Sequence, residues 1–250
     1  MIRKVNLIPL AGSGSRFKNN GYIVPKPLLR INGKPMFVRA TNSLPKANKY
    51  IFVCLENHIK KNSIDKIIKF YFPKSEIIAL KRKTSGQAIT CLKAIKLLKE
   101  NDILTIGSCD YSMKYNQNIL KKKLKNSDLI IWTFKNKLVV KKNPKMYGYV
   151  KTNKKGLVTK VTCKKVVSEK PWNDHTIIGT FSFKKAKYFI DFTKKLLKNN
   201  LRVNNEFYLD TVAELCVKSG LNVKVNLVDK YFGWGTPSDL KKYLKKNTNE

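Results

Sequence analysis

The sequence predicts an α/β fold in which a mixed, mostly parallel sheet is flanked by helices. Through the first half of the chain, short apolar runs alternate with stretches of helical spacing, which is the pattern of parallel strands joined by helices. The second half has more closely spaced strand signals, which predict a small antiparallel β extension. The length of 250 residues and the hydrophobic content of 42% suit one sizeable core.

The strands predicted in the first half are apolar runs that end in turn residues. They cover residues 5–10, 49–55, 76–80, 102–106 and 128–134, with a short strand and turn over residues 28–33. Helices are predicted over residues 35–44, 59–72 and 86–98. In the second of these helices, Ile64, Ile67, Ile68 and Phe72 recur at helical spacing and form one apolar stripe.

The second half of the chain is less regular. Its predicted strands cover residues 147–152, 158–163, 176–183 and 223–228. Its predicted helices cover residues 185–199, 206–218 and 239–245, the last with Ser238 as its N-cap. Because no linker rich in Pro, Gly or Ser interrupts the chain, we expect one domain over residues 1–250 with two parts, residues 1–135 and 136–250.

The formal charge of +36, from 52 Lys and Arg against 16 Asp and Glu, allows two interpretations. It would attract a polyanion such as nucleic acid, an anionic membrane or a phosphorylated substrate. It would equally arise from a compositional bias, because the lysines are spread along the whole chain. We favour the bias and expect no specific nucleic-acid partner.

The five cysteines are scattered, form no CxxC pair and lie in apolar contexts. This favours reduced core thiols over a disulfide framework or a zinc site. No apolar stretch of about 18 or more residues predicts a membrane span. The N-terminus runs into a strand without a secretory signal, so the expected location is the cytoplasm.

A loop of small residues at positions 11–15 follows the first strand and leads into Arg16. Gly12 and Gly14 let the backbone approach a ligand closely and adopt positive φ, so that successive N–H groups can form one anion-binding concavity. Arg16 adds a permanently charged fork that suits phosphate oxygens. Lys26 adds a second charge on a stiff Pro-Lys-Pro segment. This set of donors suits a triphosphate.

The loop differs from two common nucleotide-binding motifs. No Gly-Lys-Ser or Gly-Lys-Thr follows the glycines, and Phe17 stands where a Rossmann fingerprint needs its third glycine. The segment instead resembles the nucleotidyltransferase family that makes nucleotide-activated sugars and related head groups. The loop departs from the family pattern in one respect, because Gly12 follows Ala11 directly. The matching residues are Leu10, Ala11, Gly12, Gly14, Arg16, Pro25, Lys26, Pro27, Leu28, Gly33, Lys34 and Pro35.

The resemblance implies a Rossmann-like (GT-A-like) fold and a nucleotide site at the carboxyl ends of the parallel strands. It implies Arg16, Lys26 and Asp110 as catalytic residues. The turn at residues 84–87, which would otherwise be a plain helix N-cap, receives the base and ribose in the family. The expected nucleotide-binding residues are Leu10, Ala11, Gly12, Ser13, Gly14, Ser15, Arg16, Lys26, Ser85, Gly86, Gln87 and Cys109.

A magnesium ion is expected at Asp110, which follows the fourth strand. A strand-end Asp alone would more often be a cap or turn residue, but the resemblance implies a metal-binding carboxylate here. Mg²⁺ prefers oxygen ligands and substrate phosphates. The second carboxylate stays open between Glu206 and Asp210, because no Asp directly precedes Gly235-Thr236.

The acceptor is expected to bind in the second part of the chain, at Tyr149, Lys164, Lys165, Glu206 and Asp210. The lysines follow Cys163, which replaces the family's Glu, and either lysine could bind the acceptor phosphate. In so lysine-rich a chain, either could equally belong to the general surface excess.

Overall, the sequence looks most similar to small cytidylyltransferases of capsule and surface-glycan clusters. This implies transfer of a nucleoside monophosphate, with CTP the favoured donor, to a phospho-alcohol, phospho-amide or sugar 1-phosphate, releasing pyrophosphate. A sugar-1-phosphate uridylyl- or thymidylyltransferase is the alternative. A non-catalytic basic protein that binds RNA or another anion is the alternative of a different class. The sequence leaves open whether the chain forms a homodimer.

Overall fold

A nine-stranded mixed sheet forms the centre of the computed structural model, which describes residues 2–246. The strands of this sheet and of two small hairpins are, in chain order, β1 (Lys4–Pro9), β2 (Arg30–Ile31), β3 (Lys34–Pro35), β4 (Lys49–Leu55), β5 (Glu76–Leu80), β6 (Ile103–Ile106), β7 (Tyr111–Lys114), β8 (Leu129–Phe134), β9 (Tyr149–Thr152), β10 (Val158–Thr162), β11 (His175–Phe183), β12 (Val223–Leu227) and β13 (Lys230–Gly233).

Helices cover both faces of the sheet. They are α1 (Ser15–Lys18), α2 (Met36–Asn42), α3 (Glu56–Asn62), α4 (Ile64–Tyr71), α5 (Gln87–Leu92), α6 (Gln117–Lys125), α7 (Lys137–Lys142), α8 (Ala186–Lys198), α9 (Leu209–Lys218) and α10 (Pro237–Lys246). Short 3-10 turns lie at Lys26–Leu28, Ile95–Leu97, Pro144–Met146 and Pro171–Asn173.

The sheet joins a parallel half to a mixed half. Strands β5, β4, β1 and β6 are neighbours and run parallel. Strand β11 pairs antiparallel with β6 on one side and with β8 on the other, and β12 pairs parallel with β8. Strands β9 and β10 extend the sheet antiparallel from the first residues of β11. This arrangement confirms the predicted fold class.

The alternation of side chains along each strand divides the core between the two faces of the sheet. Leu7 belongs to the cluster that packs against α5, α8 and α9, and Ile8 belongs to the cluster that packs against α2, α4 and α6. A third, smaller cluster joins Phe17 of α1 to Trp234 and Leu240 near the end of the described chain. It holds the glycine loop against the segment that precedes α10.

Two predicted helices are wrong in extent. The helix expected over residues 59–72 is two helices, α3 and α4, because Ser63 adopts a left-handed backbone with φ 48°. The helix expected over residues 86–98 ends at Leu92 and is followed by a separate 3-10 turn. Apolar spacing continues across both interruptions, so the pattern alone did not show them.

The helices in the last quarter of the chain also begin at residues other than those predicted. Helix α9 begins at Leu209, so Glu206 lies in the loop before it. Helix α10 begins at Pro237, and its cap is Thr236, whose hydroxyl accepts from the Asp239 N–H at 3.1 Å and donates to the Asp239 carboxylate at 2.6 Å. The predicted Ser238 cap is therefore wrong, since Ser238 lies within the helix.

Candidate active site

The glycine loop lies at the carboxyl end of β1, where it turns into α1. Gly14 has φ 61° and a Cβ at that position would lie 3.3 Å from the Cβ of Lys26, so the loop turns tightly against the Pro-Lys-Pro segment. Gly12 does not adopt positive φ, which corrects that part of the prediction. A Cβ at Gly12 would meet no atom within 4 Å. Its backbone is therefore open to close approach by a ligand.

A cavity of about 310 Å³, here called the first cavity, lies over this loop. It brings together parts of the chain that are distant in sequence: the loop, Lys26, the turn before α5 and the end of β6. Of the expected nucleotide-binding residues, those that line it are Leu10, Ala11, Gly12, Ser13, Gly14, Lys26, Gly86, Gln87 and Cys109. Ser15, Arg16 and Ser85 are not among its lining residues.

The turn before α5 is held by the segment before α9. Phe207 donates its N–H to the Ser85 carbonyl at 2.9 Å, and its own carbonyl accepts from the Ala88 N–H at 3.1 Å. Gly86 has φ 121°, and a Cβ there would lie 2.5 Å from the backbone nitrogen and oxygen of Phe207. Only glycine fits this position, because both the backbone conformation and the contact exclude a side chain.

An ion pair between Lys26 and Asp110 lies at the edge of the first cavity. The Lys26 ammonium is 2.5 Å from Oδ2 of Asp110, and the Ser108 hydroxyl donates to Oδ1 at 2.6 Å. Burial alone would lower the pKa of Lys26 and raise that of Asp110, but their mutual attraction outweighs it, so the pKa of Lys26 is raised and that of Asp110 lowered. Both groups are therefore charged at neutral pH.

A second cavity, also of about 310 Å³, lies on the other side of Asp110. It shares Gln87 and Ser108 with the first cavity, so the two are neighbours along one cleft. Arg16, Lys164 and Asp210 line it. Both Lys164 and Asp210 come from the part of the chain in which the acceptor site was expected.

The other expected acceptor residues lie elsewhere. Tyr149 is buried at the start of β9, where its hydroxyl donates to the Pro144 carbonyl at 2.6 Å, and it lines neither cavity. Lys165 is exposed outside both cavities. Glu206 is exposed and lines the first cavity instead of the second.

Asp210 is a half-buried carboxyl in the second cavity. Burial raises its pKa to about 6, although the nearby Lys164 and a hydrogen bond from the Cys163 thiol act in the opposite direction. The Lys164 ammonium donates to the Met146 carbonyl and lies 5.7 Å from the centroid of the Tyr208 ring.

None of the tyrosines that line the second cavity was among the expected site residues. These are Tyr111, Tyr147, Tyr208 and Tyr231. Tyr111, the residue after Asp110, is the first residue of β7. Tyr231 lies on β13, which pairs with β7. Neither strand was predicted. The one available signal was the placement of Tyr111 beside the strand-end Asp110.

The residues around Asp110 suit a magnesium ion that is shared with substrate phosphates. Within residues 2–246, there is no group of three or more His, Cys, Asp or Glu side chains that could hold a metal ion by itself. Mg²⁺ commonly binds through one or two carboxylates together with substrate phosphates. Asp110 could supply such a carboxylate, and the Ser108 hydroxyl beside it could supply a further oxygen ligand.

No helix within residues 2–246 combines the length and the apolar character that crossing a bilayer requires.

Comparisons with known proteins agree with the sequence resemblance. The family model described as "Nucleotidyl transferase" matches residues 5–250, and no curated protein matches the chain. A nucleoside-diphosphate-sugar pyrophosphorylase from Vibrio cholerae RC9 has a similar structure, with 19% identity, a TM-score of 0.79 and coverage of 96% of this chain and 99% of that chain.

Two further solved structures share the fold. An inositol-1-phosphate CTP transferase from T. maritima has 16% identity and a TM-score of 0.74, covering 99% of this chain and 98% of that chain. A putative glucose-1-phosphate thymidylyltransferase from Bacillus anthracis has 13% identity and a TM-score of 0.74, covering 99% and 96% respectively. At these identities the likeness shows the fold.

Proposed function

Because the chain belongs to the nucleotidyl transferase family, we propose that it transfers a nucleoside monophosphate from CTP to a phosphorylated small molecule and releases pyrophosphate. The observation that carries this proposal is the pair of neighbouring cavities on either side of Asp110. One has the glycine loop and Lys26, which suit a triphosphate. The other has Arg16, Lys164 and Asp210, which suit a second, smaller polar substrate.

The reaction needs little more than alignment and charge. An oxygen of the acceptor phosphate attacks the α-phosphorus of the triphosphate, and a new P–O bond forms. The bond from the α-phosphorus to the bridging oxygen breaks, and pyrophosphate leaves with that electron pair. Lys26 and Arg16 stabilise the negative charge that is shared between the attacking and leaving oxygens, which is the main way a protein accelerates such a step.

A magnesium ion is part of the proposal. Asp110, with Ser108, would hold it, and it would neutralise charge on the phosphates when bound. Lys26 forms an ion pair with Asp110 in the described structure. Its ammonium can exchange this partner for a phosphate oxygen when the triphosphate enters. Glu206 borders the first cavity and Asp210 the second, and we assign neither to the metal.

Two similarities favour CTP as the donor: the resemblance to small cytidylyltransferases, and the shared fold with an inositol-1-phosphate CTP transferase. Transfer of a uridylyl or thymidylyl group is the alternative, since a putative glucose-1-phosphate thymidylyltransferase has the same fold. We propose that residues 1–135 bind most of the nucleotide and residues 136–250 most of the acceptor. The product would serve surface-glycan or capsule biosynthesis in the cytoplasm.

A pyrophosphate-release screen tests this function. All common nucleoside triphosphates are combined with phosphorylated sugars, alcohols and amides in the presence of Mg²⁺. The expected result is pyrophosphate release with one donor above the others, CTP first, and only when an acceptor is present. Absence of release from every pair would refute the transferase assignment, and preference for UTP or dTTP would refute the choice of donor.

A further inference from the structure

A third cavity, of about 690 Å³, adjoins the first cavity at the glycine loop. The two share Ser13, Gly14 and Lys26, whereas within the described chain no residue lines both the third cavity and the second. The outer walls of the third cavity are the loop over residues 21–25 and helix α3, which follows β4 directly. The three cavities therefore follow one another along one edge of the sheet, with the first in the middle.

The order of the cavities matters for the proposed reaction. In phosphoryl transfer the attacking and leaving oxygens lie roughly in line through the phosphorus atom. An acceptor in the second cavity would attack the α-phosphorus of a nucleotide in the first, so pyrophosphate would leave on the side opposite to the second cavity. The third cavity meets this condition, because it adjoins the first at Gly14 and Lys26 and is separate from the second.

The charge of the third cavity suits a polyanion. Lys18, Lys26 and Lys61 line it, and no Asp or Glu within residues 2–246 is among its lining residues. Lys26 is paired with Asp110, but neither Lys18 nor Lys61 forms a salt bridge within the described residues. Burial lowers the pKa of His58, the histidine of this cavity, so its ring is neutral at neutral pH. Two unpaired lysines therefore border a cavity that contains no opposing acid from the described chain.

The general excess of lysine does not explain how the three cavities differ in charge. Among the described residues, the second cavity has three carboxylates against two cations, and the first has Glu206 against Lys26 and Lys83. The third has three lysines and no acid from the same part of the chain. Positive charge therefore increases from the acceptor side of the cleft to the far side of the glycine loop. Such a field draws a leaving anion in the same direction.

We propose that the third cavity receives pyrophosphate as it leaves the nucleotide, and that Lys18 and Lys61 bind it there. This inference rests on the proposed function, in which pyrophosphate is the leaving group. The acceptor oxygen forms its bond to the α-phosphorus as the bond to the bridging oxygen breaks, and the electron pair of that bond leaves with pyrophosphate. The two lysines stabilise the negative charge of the product, and the second cavity stays free for the acceptor.

Titration calorimetry with pyrophosphate in the presence of Mg²⁺ tests this site without turnover. The double variant Lys18→Ala/Lys61→Ala should bind pyrophosphate about tenfold more weakly than the wild-type protein, since each exposed ion pair contributes about threefold in affinity. The affinity for CMP, which lacks these phosphates, should stay close to that of the wild-type protein. Unchanged affinity for pyrophosphate, or an equal loss for pyrophosphate and CMP, would overturn the proposal.

Lys60→Ala and Arg82→Ala are the matched controls for Lys61→Ala. Lys60 is exposed on α3 beside Lys61 and lies outside the third cavity. Arg82 is exposed in an open basic depression at residues 80–85, next to the other end of the first cavity. Both controls should bind pyrophosphate as the wild-type protein does. A loss in either control as large as that in Lys61→Ala would show that the overall surface charge is responsible and would overturn the proposal.

Asn57→Lys provides a test that a misfolded variant cannot pass. Asn57 is exposed and lines the third cavity, so a lysine there should tighten pyrophosphate binding by about threefold. In steady-state assays, the inhibition constant for pyrophosphate should fall in this variant and rise in the double variant. If neither constant changes while the wild-type protein releases pyrophosphate, the inference is wrong and the proposed function stands. A wild-type protein that neither releases nor binds pyrophosphate would refute the proposed function and this inference with it.

Discussion

Replacing Gly148 with alanine tests how tightly the second cavity is built. A Cβ at this position would lie 2.2 Å from Oδ2 of Asp210 and 2.6 Å from the carbonyl oxygen of Thr162. Ordinary contact of a Cβ begins near 3.4 Å, so the methyl group overlaps these oxygens by 1.2 and 0.8 Å. Gly148 does not have positive φ. The expected damage is therefore steric, without a contribution from backbone strain.

The surrounding backbone has little freedom to relieve this overlap. The Gly148 carbonyl accepts from the Ile177 N–H at 2.9 Å, and Thr162 is paired with Tyr149 in the ladder of β9 and β10. Overpacking of a well-packed site costs about 1–3 kcal/mol. Because one of the overlaps is with backbone, we expect a loss of about 3 kcal/mol in the free energy of unfolding. Asp210 should also be displaced, which raises the acceptor KM and leaves the nucleotide KM unchanged.

Urea denaturation and steady-state kinetics measure the two effects. Gly12→Ala is the matched control, because its added methyl meets no protein atom within 4 Å. It should keep the free energy of unfolding within about 0.5 kcal/mol, as surface substitutions do, and raise the nucleotide KM instead. If Gly148→Ala has wild-type stability and an unchanged acceptor KM, the packing argument for Asp210 is refuted.

Three further predictions concern single side chains. Arg16→Ala should lower kcat by about 100-fold, the scale of removing one preorganised charge stabiliser, and near-normal turnover would exclude Arg16 from the site. Asp110→Asn, or excess chelator, should abolish pyrophosphate release while circular dichroism stays unchanged; an active variant would exclude the metal role. Lys164→Ala removes a lysine that lines the second cavity and should raise the acceptor KM. Lys165→Ala removes an exposed lysine and should raise the acceptor KM much less, so equal effects of the two changes would refute this distinction.

The nucleotide side of the fold could be predicted because its signals are local in sequence. Strands β4 and β5 begin and end at the predicted residues, since each is an apolar run closed by turn residues. The loop after β1 and the turn before α5 lie at carboxyl ends of parallel strands, where the topology alone brings them together. Lys26 follows the loop on the stiff Pro-Lys-Pro segment. The fixed length of chain between the loop and this segment limits where the lysine can lie.

The acceptor side could not be predicted in the same way. Tyr149 and Lys164 were equally plausible ligands by residue type, yet one is buried with its hydroxyl on the Pro144 carbonyl and the other lines the cavity. Which of them faces the cavity depends on the bulge between β9 and β10 and on the left-handed backbone of Lys164, with φ 53°. Such features arise from tertiary packing and leave no periodic signal in the sequence.

The segment before α10 places no second carboxylate beside Asp110, and the packing of this segment explains why. Trp234 is fully buried, its ring centroid lies 5.4 Å from that of Tyr243, and its backbone N–H donates to the Asp110 carbonyl at 2.8 Å. A Cβ at Gly235 would lie 3.3 Å from Oδ2 of Asp110, which leaves little room for a larger side chain. This segment therefore positions Asp110 by packing. A metal held by Asp110 and Ser108 would take further ligands from substrate phosphates and water, so we expect metal and nucleotide to bind together.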